Sequence, residues 1–259
     1  MVKVRNRLLD TDLIIYQDDD WFKFSLDSVL LSKFVTINLR HKRIIDLATG
    51  NAPIPLLLSF RTNAEIYGIE YQKCVYDLAC ESVLENGKNN QINLILGDVK
   101  EIKNKFSSDS FDVVTCNPPY FKTKNEEFLN NNDVKTLARH EITLILEDVL
   151  KSASYLLKSG GIFAMVHRTE RFIEIVESMK KFNLEPKRVQ FIYPKNGRES
   201  DLFLIEGIKN GKTGLKMLSP LVIHNDDNNY TEEVSKLLEF WKRWSLCGKE
   251  IMMVVLFYI

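Results

Sequence analysis

Phe111-Asp112-Val113-Val114-Thr115-Cys116-Asn117-Pro118-Pro119-Tyr120 reads as a strand brought to a stop at a defined point. From Phe111 to Cys116 the run is apolar and carries β-branched residues, the composition of a strand buried on both faces of a parallel sheet. Two prolines then remove consecutive N–H donors, so neither a sheet ladder nor a helix continues. Ligands of open α/β sheets bind at the carboxyl ends of the strands. Asn117, Pro118, Pro119 and Tyr120 therefore place an amide, rigid carbonyls and an aromatic face at a ligand edge. Asn and Pro also form ordinary strand-ending turns, so the neighbouring segments decide between the two readings.

Upstream, Arg43-Ile44-Ile45-Asp46-Leu47-Ala48-Thr49-Gly50-Asn51-Ala52 is a strand running into a small-residue loop, then a helix from Ile54 to Phe60. Small residues let a ligand approach the backbone closely. Pro53 and Pro55 fall near the first helical turn, where a missing N–H matters least. The Gly-x-Gly-x-x-Gly fingerprint of dinucleotide sites is absent. Glu65 to Glu70 is the next strand. Glu70 lies about 20 residues beyond the loop, the spacing at which a carboxylate accepts from ribose hydroxyls; a solvated strand-end Glu is the plainer alternative. A helix from about Lys73 to Glu85 has Val75, Leu78, Ala79 and Val83 as its inner stripe and is closed by Asn86-Gly87. After the strand Ile92–Leu96, Asp98 stands where it can cap a helix-like Val99–Phe106 segment.

Asn117-Pro118-Pro119-Tyr120 resembles the Asn-Pro-Pro-Tyr motif of amino-group methyltransferases that use S-adenosylmethionine (AdoMet). Asp46 to Ala52 resembles their first cofactor motif, acidic-x-Gly-x-Gly-x-Gly, with Ala48 and Ala52 replacing two glycines. Alanine resists positive φ. The order loop, acid, acid, tetrapeptide matches class I methyltransferases. Phe24–Leu31, Ala138-Arg139-His140-Glu141 and His167–Arg171 are similar to segments of bacterial tRNA adenine-N6 methyltransferases, of the kind acting on the adenosine next to a valine-tRNA anticodon. The likeness runs from about Asp12 to Glu233. It implies an α/β fold, a doubly wound, seven-stranded, mostly parallel Rossmann-like sheet with a small N-terminal hairpin and helix. It also implies AdoMet held by Ser25, Asp27, Asp46, Ala48, Gly50, Asn51, Glu70, Asp98, Val99 and Asn117. In that class the matching Asp98 bonds the adenine amino group, and the Val99 backbone meets the ring.

The chemistry explains the tetrapeptide. An exocyclic amine is a poor nucleophile because its lone pair is delocalised into the ring. Acceptors at Asn117 and Pro118 would draw the nitrogen toward tetrahedral geometry, and Tyr120 would stack on the base, a contact worth about 1–3 kcal/mol. Protein glutamine methyltransferases share the tetrapeptide. They, DNA adenine methylation and a non-catalytic AdoMet- or RNA-binding module stay open as alternatives.

Downstream, Phe121 to Lys135 is polar and loop-like. Lys122, Arg139 and His140 are candidate RNA contacts, although a lone His is more often structural. A helix from about Ile142 to Leu157 and Gly160-Gly161 lead into the strand Ile162–Val166. Arg168 and Arg171 follow its carboxyl end, and Arg198 sits in the basic turn Pro194–Arg198. These arginines suit phosphates; solvated charges beside a Thr169 cap are the alternative. A helix Arg171–Lys181 precedes strands Lys187–Tyr193 and Leu202–Ile208, spaced as an antiparallel hairpin. Leu218–Ile223 reads as an extended piece along a sheet edge. At the other end, Asp12–Gln17 and Trp21–Phe24 suggest a hairpin around Asp18–Asp20, and Ser25-Leu26-Asp27-Ser28 opens a helix with Val29, Leu30, Leu31, Phe34 and Val35 inward.

The chain has 259 residues, 45% of them hydrophobic, with Lys plus Arg and Asp plus Glu both 35. That neutrality argues against a uniformly basic coat but leaves room for a local patch. The cysteines Cys74, Cys80, Cys116 and Cys247 lack paired ligand spacing, so no metal is expected and reduced thiols in a cytoplasmic protein are. The amino terminus has no signal-peptide core. The apolar run Ile251–Ile259 is too short for a bilayer, which needs about 20 helical residues; the basic-aromatic stretch from Trp241 has no family counterpart and carries no assignment. The expected organisation is an extension over 1–36, a methyltransferase core over 37–210 and a C-terminal extension over 211–259. Expected partners are tRNA and no membrane, with the protein a monomer or homodimer.

Overall fold

The central pair of strands is Arg43–Leu47 with Phe111–Cys116, which run parallel. In the computed structural model, which describes residues 3–8, 11–18, 26–118 and 144–246 except the side chains of 242–246, the elements run as follows. β1 (Lys3–Arg7), β2 (Ile14–Asp18) and α1 (Leu26–Phe34) precede β3 (Arg43–Leu47), α2 (Pro53–Leu58), β4 (Glu65–Glu70), α3 (Lys73–Glu85) and β5 (Ile92–Leu96). A 3-10 segment Val99–Asn104 leads to β6 (Phe111–Cys116), then α4 (Leu146–Leu156) and β7 (Leu157–Arg168). A second 3-10 turn, Thr169–Arg171, opens α5 (Phe172–Lys181), followed by β8 (Leu184–Lys195), β9 (Leu202–Lys209), β10 (Lys216–Met217), β11 (Leu221–His224) and α6 (Glu232–Leu246).

The main sheet has the order β5-β4-β3-β6-β7-β9-β8, and β10 and β11 both pair with β8. All its pairings are parallel except those of β9, which lies antiparallel between β7 and β8. The seven strands expected are there with the expected β8–β9 hairpin. Two short edge strands extend them to nine, the second formed by the extended stretch expected along the sheet edge.

Alternation explains why the strands are apolar throughout. Ile44, Val113 and Ala164 enter one core cluster, while their neighbours Ile45, Val114 and Phe163 enter the other, on the opposite face. Both faces are covered by helices, so neither has a polar set of positions. The chain passes from β3 to β4 on one side and returns through β6 on the other. The carboxyl ends of β3 and β6 therefore form the topological switch point, the usual ligand crevice. Asp46 is in register with Thr115, and Leu47 with Cys116, so Ala48 and Asn117 leave the sheet as neighbours.

The amino-terminal hairpin among the described residues is one the sequence reading did not include. β2 pairs with β1, upstream of it; the Trp21–Phe24 run lies outside the described residues. The strand Lys3–Arg7 escapes a hydrophobic-pattern reading because its alternating side chains are Lys3, Arg5 and Arg7, all exposed. The hairpin docks on α3. Arg5 Nη2 and Tyr16 Oη donate to Glu85 at 2.8 and 3.0 Å, and the Tyr16 N–H donates to Ser82 Oγ at 2.9 Å. Asn86, which caps α3 ahead of Gly87 at φ 61°, also bonds both backbone groups of Ile14.

At the far end of α1, the Thr36 N–H and hydroxyl donate to the two oxygens of buried Glu206 at 2.7 and 2.9 Å, and Arg188 joins at 3.3 Å. The helix α6 is a further departure from the sequence reading. Trp241 is fully buried with Val234, while Leu237 and Leu238 pack alongside. These positions follow helical spacing, and Trp241 belongs to the core.

Candidate active site

The loop after β3 is built from left-handed residues: Ala48, Gly50 and Ala52 have φ of 53, 60 and 68°. Each alanine in that region costs about 1–2 kcal/mol. The expectation that alanine resists this geometry meets a loop that enforces it. The Thr49 N–H donates to the Ile69 carbonyl at 3.0 Å, and the Gly50 N–H donates to Glu70 Oε2 at 2.9 Å. The Asn51 side chain donates to the Tyr16 carbonyl at 3.0 Å, tying the loop to the hairpin. Pro53 starts α2 directly after Ala52, with φ already suited to a helix. No atom lies within 4 Å of where a Cβ on Gly50 would sit, so the loop faces open space there.

Three acids lie toward the carboxyl ends of β3, β4 and β5. Asp46 is buried, and its two oxygens accept from the hydroxyls of Thr49 and Thr115, each at 2.7 Å. Burial pushes its carboxyl up to about 7, against the pull of the two hydroxyls and with a smaller push from the Glu70 charge. Asp46 thus braces β3 against β6 beneath the loop. Glu70, at the end of β4, is also buried. Its carboxylate accepts from the Gly50 and Gln72 N–H groups, both at 2.9 Å, and burial raises its pKa while these backbone donors oppose the rise. Asp98 caps the 3-10 segment, accepting from the Lys100 N–H at 2.8 Å, and the Val99 side chain is buried below it.

Asn117 follows β6 directly, and its Nδ2 donates to Ser28 Oγ of α1 at 3.0 Å. Pro118 is buried. Asp27 lies in the first turn of α1. Pro119, Tyr120, Ser25, Lys122, Arg139 and His140 lie outside the described residues. Since β6, β7 and β8 are mutually parallel in direction, Arg168 and Arg198 stand at the same edge as Asn117, both exposed. Arg171 turns its fork onto Glu174, with contacts of 2.8 and 2.5 Å. His167 is buried, accepts from the Arg168 N–H at 2.8 Å, and is driven down to about 4 by burial and by the nearby Arg171 charge.

Asp46, Ala48, Gly50, Asn51, Glu70 and Asn117 thus share the switch point. Asp98 stands two strands away at the end of β5, and the arginines stand on the opposite flank. Sequence reasoning missed Thr49, Thr115 and Ser28 as members. A buried hydroxyl in an apolar strand requires a partner, which is the signal Thr115 carried. Tyr71, beside Glu70, is 53% exposed at the same edge. Open space at Gly50, a loop of left-handed residues and a buried carboxylate at the end of β4 together fit a nucleoside-bearing cofactor. Among the described residues no three His, Cys, Asp or Glu side chains gather into a metal-type cluster, and no helix is long and apolar enough to cross a membrane.

Comparison with known proteins agrees with this geometry. A family model described as a methyltransferase domain matches residues 38–214. Proteins named tRNA1(Val) (adenine(37)-N6)-methyltransferase are similar over most of their length. The one from Bacteroides fragilis is 27% identical and the one from Haemophilus influenzae 28% identical, each over 86% of this chain and 92% of the relative. The one from Flavobacterium psychrophilum is 24% identical over 85% of this chain and 92% of its own. Among solved structures, a predicted O-methyltransferase from Agrobacterium tumefaciens superposes with a TM-score of 0.67 at 21% identity, covering 83% of this chain and 96% of that one; the likeness is one of fold. With the switch-point loop, the anchored acids and the Asn-Pro turn in place, the chain belongs to the methyltransferase-domain family, the AdoMet-dependent enzymes whose motif order it resembles.

Proposed function

We propose that the protein transfers a methyl group from AdoMet to the exocyclic N6 amino group of an adenine in RNA, with tRNA near the anticodon as the substrate and the cytoplasm as its place of work. The observation that carries the reading is Asn117-Pro118 emerging from β6 next to the left-handed loop after β3. The relatives' shared name and the exposed Arg168 and Arg198 on the acceptor flank support RNA as the substrate. In this reading residues 37–210 are the catalytic core, 1–36 pack on it and 211–259 extend it.

The Gly50 loop and Glu70 would hold the cofactor's amino-acid and ribose parts, and Asp98 its base. When bound, AdoMet supplies an electrophilic methyl on a sulfonium centre. The chain's own part is positioning. The Asn117 carboxamide oxygen and the Pro118 carbonyl accept from the two N–H bonds of the adenine amine, which frees its lone pair for in-line attack. Tyr120 would stack on the extruded base. The amine's surplus proton leaves to water after transfer, so the transfer step needs no general base. Arg168 and Arg198, with Lys122, Arg139 and His140, would grip the RNA backbone.

The test is methyl transfer from labelled AdoMet by purified protein to unmodified tRNA, to DNA and to a glutamine-bearing release factor in parallel. The reading expects label in tRNA, recovered as N6-methyladenine. Label in the protein substrate selects glutamine N5-methylation instead, and label in DNA selects the DNA enzyme. AdoMet binding without transfer to any of them selects a non-catalytic binding module.

A further inference from the structure

The strand β2 climbs toward the carboxyl edge of the sheet. Ile14 bonds Asn86 at the carboxyl end of α3, Tyr16 bonds Ser82 one turn back, and the Tyr16 carbonyl accepts from the Asn51 side chain of the left-handed loop at 3.0 Å. The next residue is Gln17. Side chains alternate along a strand. The Tyr16 ring reaches Glu85 of α3, while Ile15 belongs to the core cluster that holds Val29, Ala52 and Ile54. Gln17 therefore faces the same way as Ile15, two residues nearer the carboxyl edge, toward the loop and α1.

Gln17 is 4% exposed, and among the described residues its side-chain amide has no hydrogen-bond partner. Buried amides in native folds are nearly always paired, and leaving one bare is destabilising. Such a group facing a ligand loop is explained when its partner belongs to the ligand. We propose that Gln17 is a cofactor-binding residue that reads the amino-acid end of AdoMet. A carboxamide carries an acceptor oxygen and two N–H donors. An α-amino-acid end presents an ammonium donor and a carboxylate acceptor. One amide serves either sign of charge, where an acid or a base would attract one and repel the other. The Asn51 bond to Tyr16 fixes β2 against the loop, so Gln17 is held in place before any ligand arrives. The proposal makes the amino-terminal hairpin part of the cofactor site. It rests on the placement of the amino-acid part at the Gly50 loop given under Proposed function.

Gln17→Met keeps the length of the side chain and removes its polar atoms. Calorimetry compares variant and wild type on two ligands: S-adenosylhomocysteine, the cofactor after methyl transfer, and 5′-methylthioadenosine, which keeps the nucleoside and sulfur but lacks the amino-acid end. The expected result is a loss of about 10- to 100-fold for the first, the effect of hydrogen bonds lost to charged groups, and none for the second. The thermal midpoint without ligand stays level or rises, because an apolar side chain replaces a bare buried amide. S-adenosylhomocysteine affinity left as in wild type overturns the proposal, as does an equal loss for both ligands, the mark of a merely structural residue. Should the variant not fold, wild type decides. In 15N spectra assigned through the backbone, the Gln17 side-chain amide should move with S-adenosylhomocysteine and not with 5′-methylthioadenosine; movement alike with both, or with neither, overturns the role. Wild-type protein that binds the two ligands equally well overturns the parent placement of the amino-acid end, and that result needs no variant.

Discussion

The two flanks of the switch point are built on opposite principles. On the loop flank, successive polar groups are committed to one another: Asp46 to two threonines, Glu70 to the Gly50 and Gln72 N–H groups, Asn51 to the hairpin. On the acceptor flank, Asn117 is held by α1, while Arg168 and Arg198 are exposed. A small invariant ligand is best served by a preformed cradle, since little ordering is left to pay at binding. A large polyanion is best met by exposed, adaptable cations at the edge. The contrast teaches that one strand boundary can host both, because parallel strands deliver all their carboxyl ends to the same side.

The sharpest way to break this comparison is Asn117→Ala. Methyl transfer should fall by about 100- to 1,000-fold, the usual effect of losing a preorganised polar group at the reacting centre, while calorimetry still shows AdoMet binding; turnover near wild type would refute the chemistry. Glu70→Gln should do the reverse, weakening AdoMet by roughly 10- to 100-fold through loss of charge-assisted bonds, with tRNA affinity little changed in a filter-binding assay.

Asp46 offers a test of how deeply the loop flank is committed. Its carboxyl titrates at 3.8 in the reference state and at about 7 in the fold. Folding therefore favours the protonated form. The stability it contributes is full below about 3.8 and is lost as pH rises through about 7. Asp46→Asn, nearly isosteric, should flatten that decline, so the gap in thermal midpoint between wild type and variant should shift in the variant's favour from pH 5 to pH 8. A parallel pair of curves would remove Asp46 as the cause.

Smaller effects separate the flanks further. Arg168→Ala with Arg198→Ala should raise the KM for tRNA a few-fold and lower the salt dependence of binding by about one phosphate contact each, leaving AdoMet binding as it was. Smallest is Ala48→Gly. Relief of the left-handed strain, about 1–2 kcal/mol, is offset by the entropy of a glycine, about 0.5–1 kcal/mol. The net gain should be about 0–1.5 kcal/mol, a rise of a few degrees at most. Ala52→Gly should gain less, because the Ala52 methyl is fully buried and its loss costs about 0.8 kcal/mol.

Much of the architecture is legible in the sequence. Apolar runs with β-branched residues announced the parallel strands. The loop, Glu70, Asp98 and the Asn-Pro turn could be placed at strand ends from the sequence because strand boundaries are local. The strand Lys3–Arg7 that pairs with β2 was passed over because it is mostly charged, and α6 was passed over although Val234, Leu237, Leu238 and Trp241 follow helical spacing.

What the sequence determined by itself was therefore what depends on near neighbours: strand and helix periodicity, the prolines that stop β6, the small residues at the loop. What only the tertiary structure decided was which distant groups meet. Thr115 reaches Asp46 across 69 positions, Ser28 reaches Asn117 across 89, and two alanines accept left-handed φ because bonds to Ile69, Glu70 and Tyr16 hold the loop around them. Local preferences are worth about 1 kcal/mol per residue, and a buried network of hydrogen bonds and packed strands outweighs them wherever it closes.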